Sequence, residues 1–281
     1  MLFASTELAA RIEAAEARLV AEGTRAMQPA PGEPAPLVLE VGGGLATLAR
    51  PGSPLNKWAG LGFAPTPSDE QLDALERAFD ERGEALQAEL SILGEAGLAA
   101  RLAGRGYVLQ GFENVLGRAL PGAGLRSPSA SIEVVRDAGA DCEPWLDVVV
   151  DGFAAPDTQG VASHESFPRE LLAQVIGDMA RGGSTERYLA RLDGELAGGA
   201  SMRLDAGIAQ LCGAATRPAM RRRGVQSALL SARLERASAA GCELAILVCQ
   251  PGSKSHQNAQ KNGFELLYTR AILVREPRPT E

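Results

Sequence analysis

Ile208-Ala209-Gln210-Leu211-Cys212-Gly213-Ala214-Ala215-Thr216-Arg217-Pro218-Ala219-Met220-Arg221-Arg222-Arg223-Gly224-Val225-Gln226 decides how the chain reads. The apolar run from Ile208 to Ala215 has the length and composition of a strand. It ends in small residues, passes Pro218, and meets three arginines and a glycine just before a helical pattern. That helix is expected from about Gly224 to Ala240, with Gly241 closing it. The start of a helix leaves backbone N–H groups without partners and carries the positive end of the helix dipole. A glycine there lets a phosphate approach the backbone, and neighbouring arginines add charge and forked donors. Read in isolation, Arg221-Arg222-Arg223-Gly224 is a solvated basic turn. The strand before it, the Thr216-x-Pro218 step and the placement of Gly224 make it instead a helix start suited to a diphosphate.

Working outward, Tyr188 to Leu192 and Leu196 to Leu204 read as strands joined by Asp193-Gly194, a two-residue hairpin signal. Before them, Trp145, Val148, Val149 and Phe153 mark one amphipathic helix. Leu171, Leu172, Val175, Ile176 and Met179 mark another, with Ser166 as its expected cap. A strand at Ile132 to Val135 opens this half. After the basic loop come a helix, a strand at Leu244 to Val248, a short helix at Ser253 to Asn262 and a last strand at Phe264 to Val274. The order of elements is therefore β-α-α-β-β-β-α-β-α-β.

This order and the phosphate-loop residues resemble the GNAT acyltransferase superfamily over roughly residues 131 to 275. The signature of that family is Q/R-x-x-G-x-G/A, entered from a strand through a V-x-P-like step. Here it reads Arg221-x-x-Gly224-x-Gln226 after Thr216-x-Pro218, with Gln226 departing from the last position. Gly252-Ser253 and Gly263-Phe264 resemble the short helix and G-F step that close the family's cofactor site. The resemblance implies a mixed, mostly antiparallel twisted α/β (α+β) sheet with flanking helices. It also implies acetyl-CoA or another acyl-CoA as co-substrate. Pantetheine would lie between two splayed strands, around Cys212, Gly213, Ala214, Ala215 and Thr216 on one side and Leu247 to Cys249 on the other. The diphosphate would sit on Arg222, Arg223, Gly224, Val225 and Gln226, with Arg221 opening the loop. Asn258 is placed to hydrogen-bond the pantetheine or adenosine side.

The first half opens with a helix pattern, Leu8, Ile12, Ala15 and Leu19, capped by Ser5 or Thr6 and ended by Gly23. Two short strands follow around Gly42-Gly43-Gly44, then a helix from Ser68 with a capping box to Gln71. A strand at Leu86 to Leu93, a short helix at Glu95 to Ala103, and a strand at Tyr107 to Phe112 complete it. This partly repeats the later order, with Gly106-Tyr107 matching Gly263-Phe264. Tandem members of the superfamily exist, so two readings stand: a second, degenerate copy, or an unrelated α/β cap. Either way, Pro67-Ser68-Asp69-Glu70 puts two carboxylates where a phosphate would lie, and these repel an anion. Pro121 to Gly124 and Ser127 to Ser129 form the best linker, which divides the chain into expected domains 1–126 and 131–281.

Composition sets the outer bounds. The chain has 281 residues, a net charge of −7, 45% apolar and 4% aromatic residues, so a globular protein with an aliphatic core is expected. The acidic balance argues against a nucleic-acid partner, and no stretch is long enough to span a membrane. No signal-peptide pattern opens the chain, and a cytoplasmic location is expected. Cys142, Cys212, Cys242 and Cys249 contain no C-x-x-C pair. They read as reduced, mostly buried thiols, with no metal site implied.

In this superfamily an amine attacks a thioester directly, so a base, an oxyanion donor and a proton source for the thiolate are needed. Many members place a Glu on the strand before the phosphate loop and a Tyr in the short helix. Here that strand carries no carboxylate, and the expected Tyr position is Ala259. Ser253 and Ser255 are substitutes for the acid; His164 and Glu165 are candidate bases, with an exposed loop as the plainer reading of His164. His256 reads as part of a solvated helix face, and Cys212 as packing rather than nucleophile. Tyr188 and Tyr268 read as core or sheet-face residues. The catalytic residues stay open. The leading function is N-acyl transfer to an amine of a small molecule or peptide, and the alternative is a protein that holds acyl-CoA without turnover.

Overall fold

The computed structural model describes residues 2–122, 129–139, 141–155, 160–161, 167–183 and 185–279. In chain order these form α1 (Thr6–Ala26), β1 (Leu37–Val41), β2 (Gly44–Leu48), β3 (Lys57–Leu61), α2 (Asp69–Asp80), β4 (Leu86–Ser91), α3 (Ala96–Gly104) and β5 (Val108–Ala119). There follow β6 (Ile132–Asp137), α4 (Glu143–Ala154), α5 (Arg169–Arg181), β7 (Glu186–Leu192), β8 (Glu195–Asp205), β9 (Ile208–Gln210) and β10 (Ala214–Thr216). A 3-10 turn at Pro218–Met220 leads to α6 (Val225–Ala239), β11 (Leu244–Cys249), α7 (Lys254–Lys261) and β12 (Glu265–Arg275).

The compact units divide elsewhere than the linker suggested. One unit comprises Phe3–Glu113 with Tyr268–Glu281, and the other is built on Asn114–Leu267. The expected boundary between 126 and 131 therefore falls inside the second unit, and 123–128 of the expected linker lie outside the described residues. Two strands account for the difference. Residues 114–119 of β5 pair antiparallel with β11 in the second unit, and 270–275 of β12 pair antiparallel with β4 in the first. Sequence patterning gives each strand's period but not its partner.

In the first unit β1, β2 and β3 are antiparallel neighbours, and β3 runs parallel to β4 with an irregularity between Trp58 and Leu61. β3 is absent from the sequence reading because Gly60 and Gly62 give its surroundings the look of a loop. Its core is Trp58, Leu61, Leu72, Leu75, Phe79, Leu86 and Leu98. α2 begins as expected, with both bonds of the Ser68–Gln71 capping box formed. α1 runs past Gly23 to Ala26, so that glycine packs inside the helix rather than ending it.

In the second unit β6, β7, β8 and β9 are antiparallel neighbours, and β9 is parallel to β11. Asp193 and Gly194 both take positive φ, 52° and 85°, as a two-residue hairpin of this kind requires. Helices cover both faces of β8. A Cβ on Gly198 would lie 2.8 Å from Val225 of α6, and one on Gly199 would lie 2.7 Å from Val149 of α4. The Gly198-Gly199 pair thus lets α4 and α6 approach opposite faces of the same strand. Trp145, Val148 and Val149 fill the α4 side, and Leu229, Leu230 and Leu234 the α6 side. Ser166, the expected cap of α5, lies outside the described residues, and the residue that precedes the helix is Pro168.

Candidate functional site

The strand expected as continuous from Ile208 to Ala215 is divided. β9 pairs with β11 through Ile246, and the last bond between them runs from the Leu211 amide to the Ile246 carbonyl at 2.8 Å. The chain then bulges: both Cys212 and Gly213 present their carbonyls to the single amide of Ser201, at 3.2 and 2.9 Å. An extra residue against one partner re-aims the strand. β10 emerges paired with β8 alone, while Leu247 to Cys249 of β11 are paired with β5 on the other side. The facing edges of β10 and β11 diverge. Small side chains at Gly213, Ala214 and Ala215 keep that gap open.

β10 delivers the chain to the helix start. Arg222 has φ 63° and Gly224 φ 92°, two left-handed residues that curl the backbone just ahead of α6. No side chain caps α6. Among the described residues, the amides of Arg222, Arg223, Gly224, Val225 and Gln226 meet no acceptor. Five donors at the positive end of a helix, without a capping oxygen, are an arrangement suited to an anion. A residue with a side chain is strained at the φ of Gly224, which explains the glycine.

The three arginines have separate roles. Arg221 faces away from the helix start: its Nε donates to the Thr216 carbonyl at 3.2 Å and its Nη2 to Gly152 at 3.2 Å and to Ala155. A guanidinium bound to the carbonyls that end α4 also suits the negative end of that helix dipole. Arg221, expected among the ligand-binding residues, holds the loop in place instead. Arg223 pairs with Asp193 at 2.9 Å, both exposed. Arg222 is exposed and meets no carboxylate among the described residues.

Val225 is buried, and Gln226 is half-buried with its amide at the helix start. Ala214 and Thr216 are half-buried and Ala215 is buried, all on the diverging strand. The Thr216 hydroxyl is buried without a partner. Asn258 is half-buried on α7, and its carbonyl accepts from the Asn262 side chain at 2.7 Å.

Ser253 caps α7, its hydroxyl accepting from the His256 amide at 3.2 Å, and Ser255 is exposed. His256 does not lie on a solvated face as expected. It is half-buried, its Nδ1 accepts from the Gly252 amide at 3.1 Å, and its Nε2 is buried without a partner. The helix turn folds the ring back over its own N-terminus. Gln210, on the strand that carries no carboxylate, is buried and accepts from Arg203 at 2.8 Å. Cys212 is half-buried in the bulge, and the Ser201 hydroxyl donates to its carbonyl at 2.6 Å. Arg233 is fully buried beneath it, donating to the Ser201 carbonyl at 3.0 Å, and burial pulls its pKa down to about 10. Tyr188 and Tyr268 are buried, as expected of core residues. His164 and Glu165 lie outside the described residues.

The corresponding helix start in the first unit is already filled. The Ser68 and Gln71 side chains occupy the capping positions of α2, and Asp69 pairs with Arg101 at 2.6 Å. The Arg101 guanidinium holds the Asp69 carboxyl below its ordinary value.

The two strands thus splay after a bulge, beside an uncapped glycine-led helix start. Residues 146–264 match the family described as "Acetyltransferase (GNAT) family", and the chain carries a GNAT domain over that span. No curated protein matches the sequence. Among solved structures, a GCN5-related N-acetyltransferase from Kribbella flavida is similar over 95% of this chain and 96% of its own, with 19% identity and a TM-score of 0.67. A tandem GNAT protein from the clavulanic acid biosynthesis pathway is similar over 98% and 95%, with 16% identity and a TM-score of 0.65. At these identities the likeness is one of fold. It extends through the N-terminal half, which therefore has a GNAT-like fold rather than that of an unrelated cap. Among the described residues, no helix is long and apolar enough to cross a membrane.

Proposed function

We propose that the second unit binds acetyl-CoA or another acyl-CoA and transfers its acyl group to an amine by direct attack. The observation that carries this is the run of unaccepted amides from Arg222 to Gln226, placed where two parallel strands diverge. The diphosphate is assigned to those amides, with Arg222 adding charge. Pantetheine is assigned to the gap between Ala214 to Thr216 and Leu247 to Cys249. In the transfer, the amine nitrogen bonds to the thioester carbon, the carbon–sulfur bond breaks, and the proton lost by nitrogen balances the proton gained by thiolate. The Gly213 amide, in the bulge, meets no acceptor among the described residues and is assigned to the carbonyl oxygen. The first unit is assigned no acyl-CoA, because its helix start holds its own carboxylates.

A strand from Ile208 to Cys212 without a carboxylate, and Ala259 where a Tyr is expected, support a second reading, a protein that holds acyl-CoA without turnover. Release of free thiol from acetyl-CoA, followed with a panel of primary amines, separates the two. Amine-dependent release supports the transferase, and saturable binding with no release on any amine supports the holder.

A further inference from the structure

Arg233, on the face of α6 turned to the sheet, is only 2% exposed. Its Nε donates to the Leu229 carbonyl at 3.1 Å and its Nη1 to the Ser201 carbonyl at 3.0 Å. Ser201 is also the residue whose amide meets both bulge carbonyls, at 3.2 and 2.9 Å. One residue therefore separates the guanidinium from the bulge.

A buried guanidinium is costly unless an anion accompanies it. Other buried arginines meet that need: Arg203 pairs with Asp205 at 2.8 Å, Arg270 with Glu13 at 2.7 Å and Arg275 with Asp80 at 2.8 Å. On α6 itself, Arg236 pairs with Glu186 at 2.7 Å. Among the described residues Arg233 meets no carboxylate, and its hydrogen bonds go to carbonyls alone. The ionisable groups that act on it are a thiol and a phenol, Cys212 in the bulge and Tyr188 on β7. Burial lowers its pKa to about 10, which leaves it charged at neutral pH.

Acyl transfer creates negative charge at this place. With the thioester carbonyl on the Gly213 amide, the oxygen and then the sulfur become more negative as the amine nitrogen bonds to carbon. A cation one residue away stabilises that charge, and the buried surroundings screen it less than water would. The same cation disfavours an ammonium there, so the acceptor enters more readily as free amine. Both effects run in the direction that a strand without a carboxylate requires.

Resting on the acyl-transfer reading above, we infer that Arg233 is a positioning residue for the transfer, holding the departing CoA sulfur as thiolate from beneath the bulge. The amine nitrogen bonds to the thioester carbon, the carbon–sulfur bond breaks with its electron pair on sulfur, and the amine proton passes to water. Ser201 carries the link, bound to Arg233 through its carbonyl and to the bulge through its amide and hydroxyl.

The test uses the full chain with CoA isotopically labelled at the carbon beside its sulfur, whose chemical shift follows ionisation of the bound thiol. In the wild type that thiol is expected to ionise about one pH unit below free CoA, a gain of about tenfold in acidity. Arg233→Met, of similar length but uncharged, is expected to abolish the shift and to lower kcat for acetyl transfer about tenfold, with acetyl-CoA affinity by calorimetry as in the wild type. Arg233→Lys keeps the charge, and with it most of the shift and part of the lost kcat. If urea melts show that Arg233→Met does not fold, the wild-type titration and Arg233→Lys decide. A bound thiol that ionises as in free CoA, or a folded Arg233→Met with wild-type kcat, overturns the inference alone. Failure of the wild-type chain to bind CoA overturns the acyl-transfer reading and this inference with it.

Discussion

Arg221, Arg222 and Arg223 are neighbours in sequence with one composition, yet their surroundings give them three different functions. Arg221 is bound to main-chain carbonyls and Arg223 to Asp193, while Arg222 is exposed and is the one proposed to meet a ligand. The triplet could be recognised as basic from sequence, but its division of labour could not, because the partners lie 5 to 69 positions away. Removing Arg221 frees the Thr216, Gly152 and Ala155 carbonyls and loosens the link between α4 and the loop. Arg221→Ala is expected to raise the KM for acetyl-CoA about tenfold, since a charged hydrogen bond is worth about 1.5–3 kcal/mol. Steady-state kinetics read this, and Arg221→Lys should recover only part, because an ammonium cannot span the same carbonyls as a fork. An unchanged KM would show that the loop holds its shape without Arg221.

At the scale of elements, the two helix starts make the contrast that sequence reading anticipated. α2 is capped by Ser68 and carries Asp69 and Glu70 in its first turn, whereas α6 has neither cap nor acid there. Ser68→Ala is expected to cost about 1 kcal/mol of stability by denaturant unfolding, while acetyl-CoA affinity stays as in the wild type. A loss of affinity would place a second acyl-CoA site in the first unit.

Caps and hairpins were legible because they depend on a few adjacent residues, as at Ser68-Gln71 and Asp193-Gly194. The bulge at Cys212-Gly213 was not, since Ile208 to Ala215 is apolar throughout and a break in pairing leaves no mark on such a run. β3 was missed for the opposite reason: Gly60 and Gly62 hide a strand held by Trp58 and Leu61. Of the candidate site, the helix start was readable, but the roles of Arg221 and His256 depend on the ends of other elements.

Across the whole chain, the first unit takes a strand from the far end of the sequence, and the second begins well before the 121–129 stretch that the sequence offers as a linker. Residues 114–119 complete the second unit beside β11, so a fragment spanning 131–281 would leave that edge of β11 bare. It would also carry residues 268–281 without β4. Such a fragment is expected to aggregate or to unfold at lower denaturant than the same unit in the full chain, as seen by size-exclusion chromatography and urea melts. A stable monomeric fragment would contradict this account of the fold.

The first unit has a further feature invisible to periodicity, a buried ionic cluster. Arg270 lies fully buried against Glu13 at 2.7 Å and Glu89 at 3.4 Å, with Glu113 at 3.7 Å, while Lys57 also pairs with Glu89. Tyr268 donates to Glu13 at 2.7 Å. Burial, with Glu89 adding repulsion, pushes Glu113 from its ordinary 4.5 up to about 7. A carboxyl whose folded pKa is raised binds its proton more tightly in the folded state. Its favourable contribution is complete below about pH 4.5 and is lost as pH rises through about 7. Glu113→Gln should therefore flatten the fall in stability between about pH 5 and about pH 8. Urea melts across that range check it, and a fall as steep in the variant as in the wild type would assign the titration to another group.

The central claim is that the helix start at Arg222 to Gln226 receives the diphosphate of an acyl-CoA. Calorimetric titration of acetyl-CoA into the full chain and into Arg222→Glu tests it most directly. The account predicts one saturable site in the wild type, weakened about tenfold or more in the variant, where a carboxylate opposes the phosphates. No binding to the wild type, or equal binding to both proteins, would contradict it.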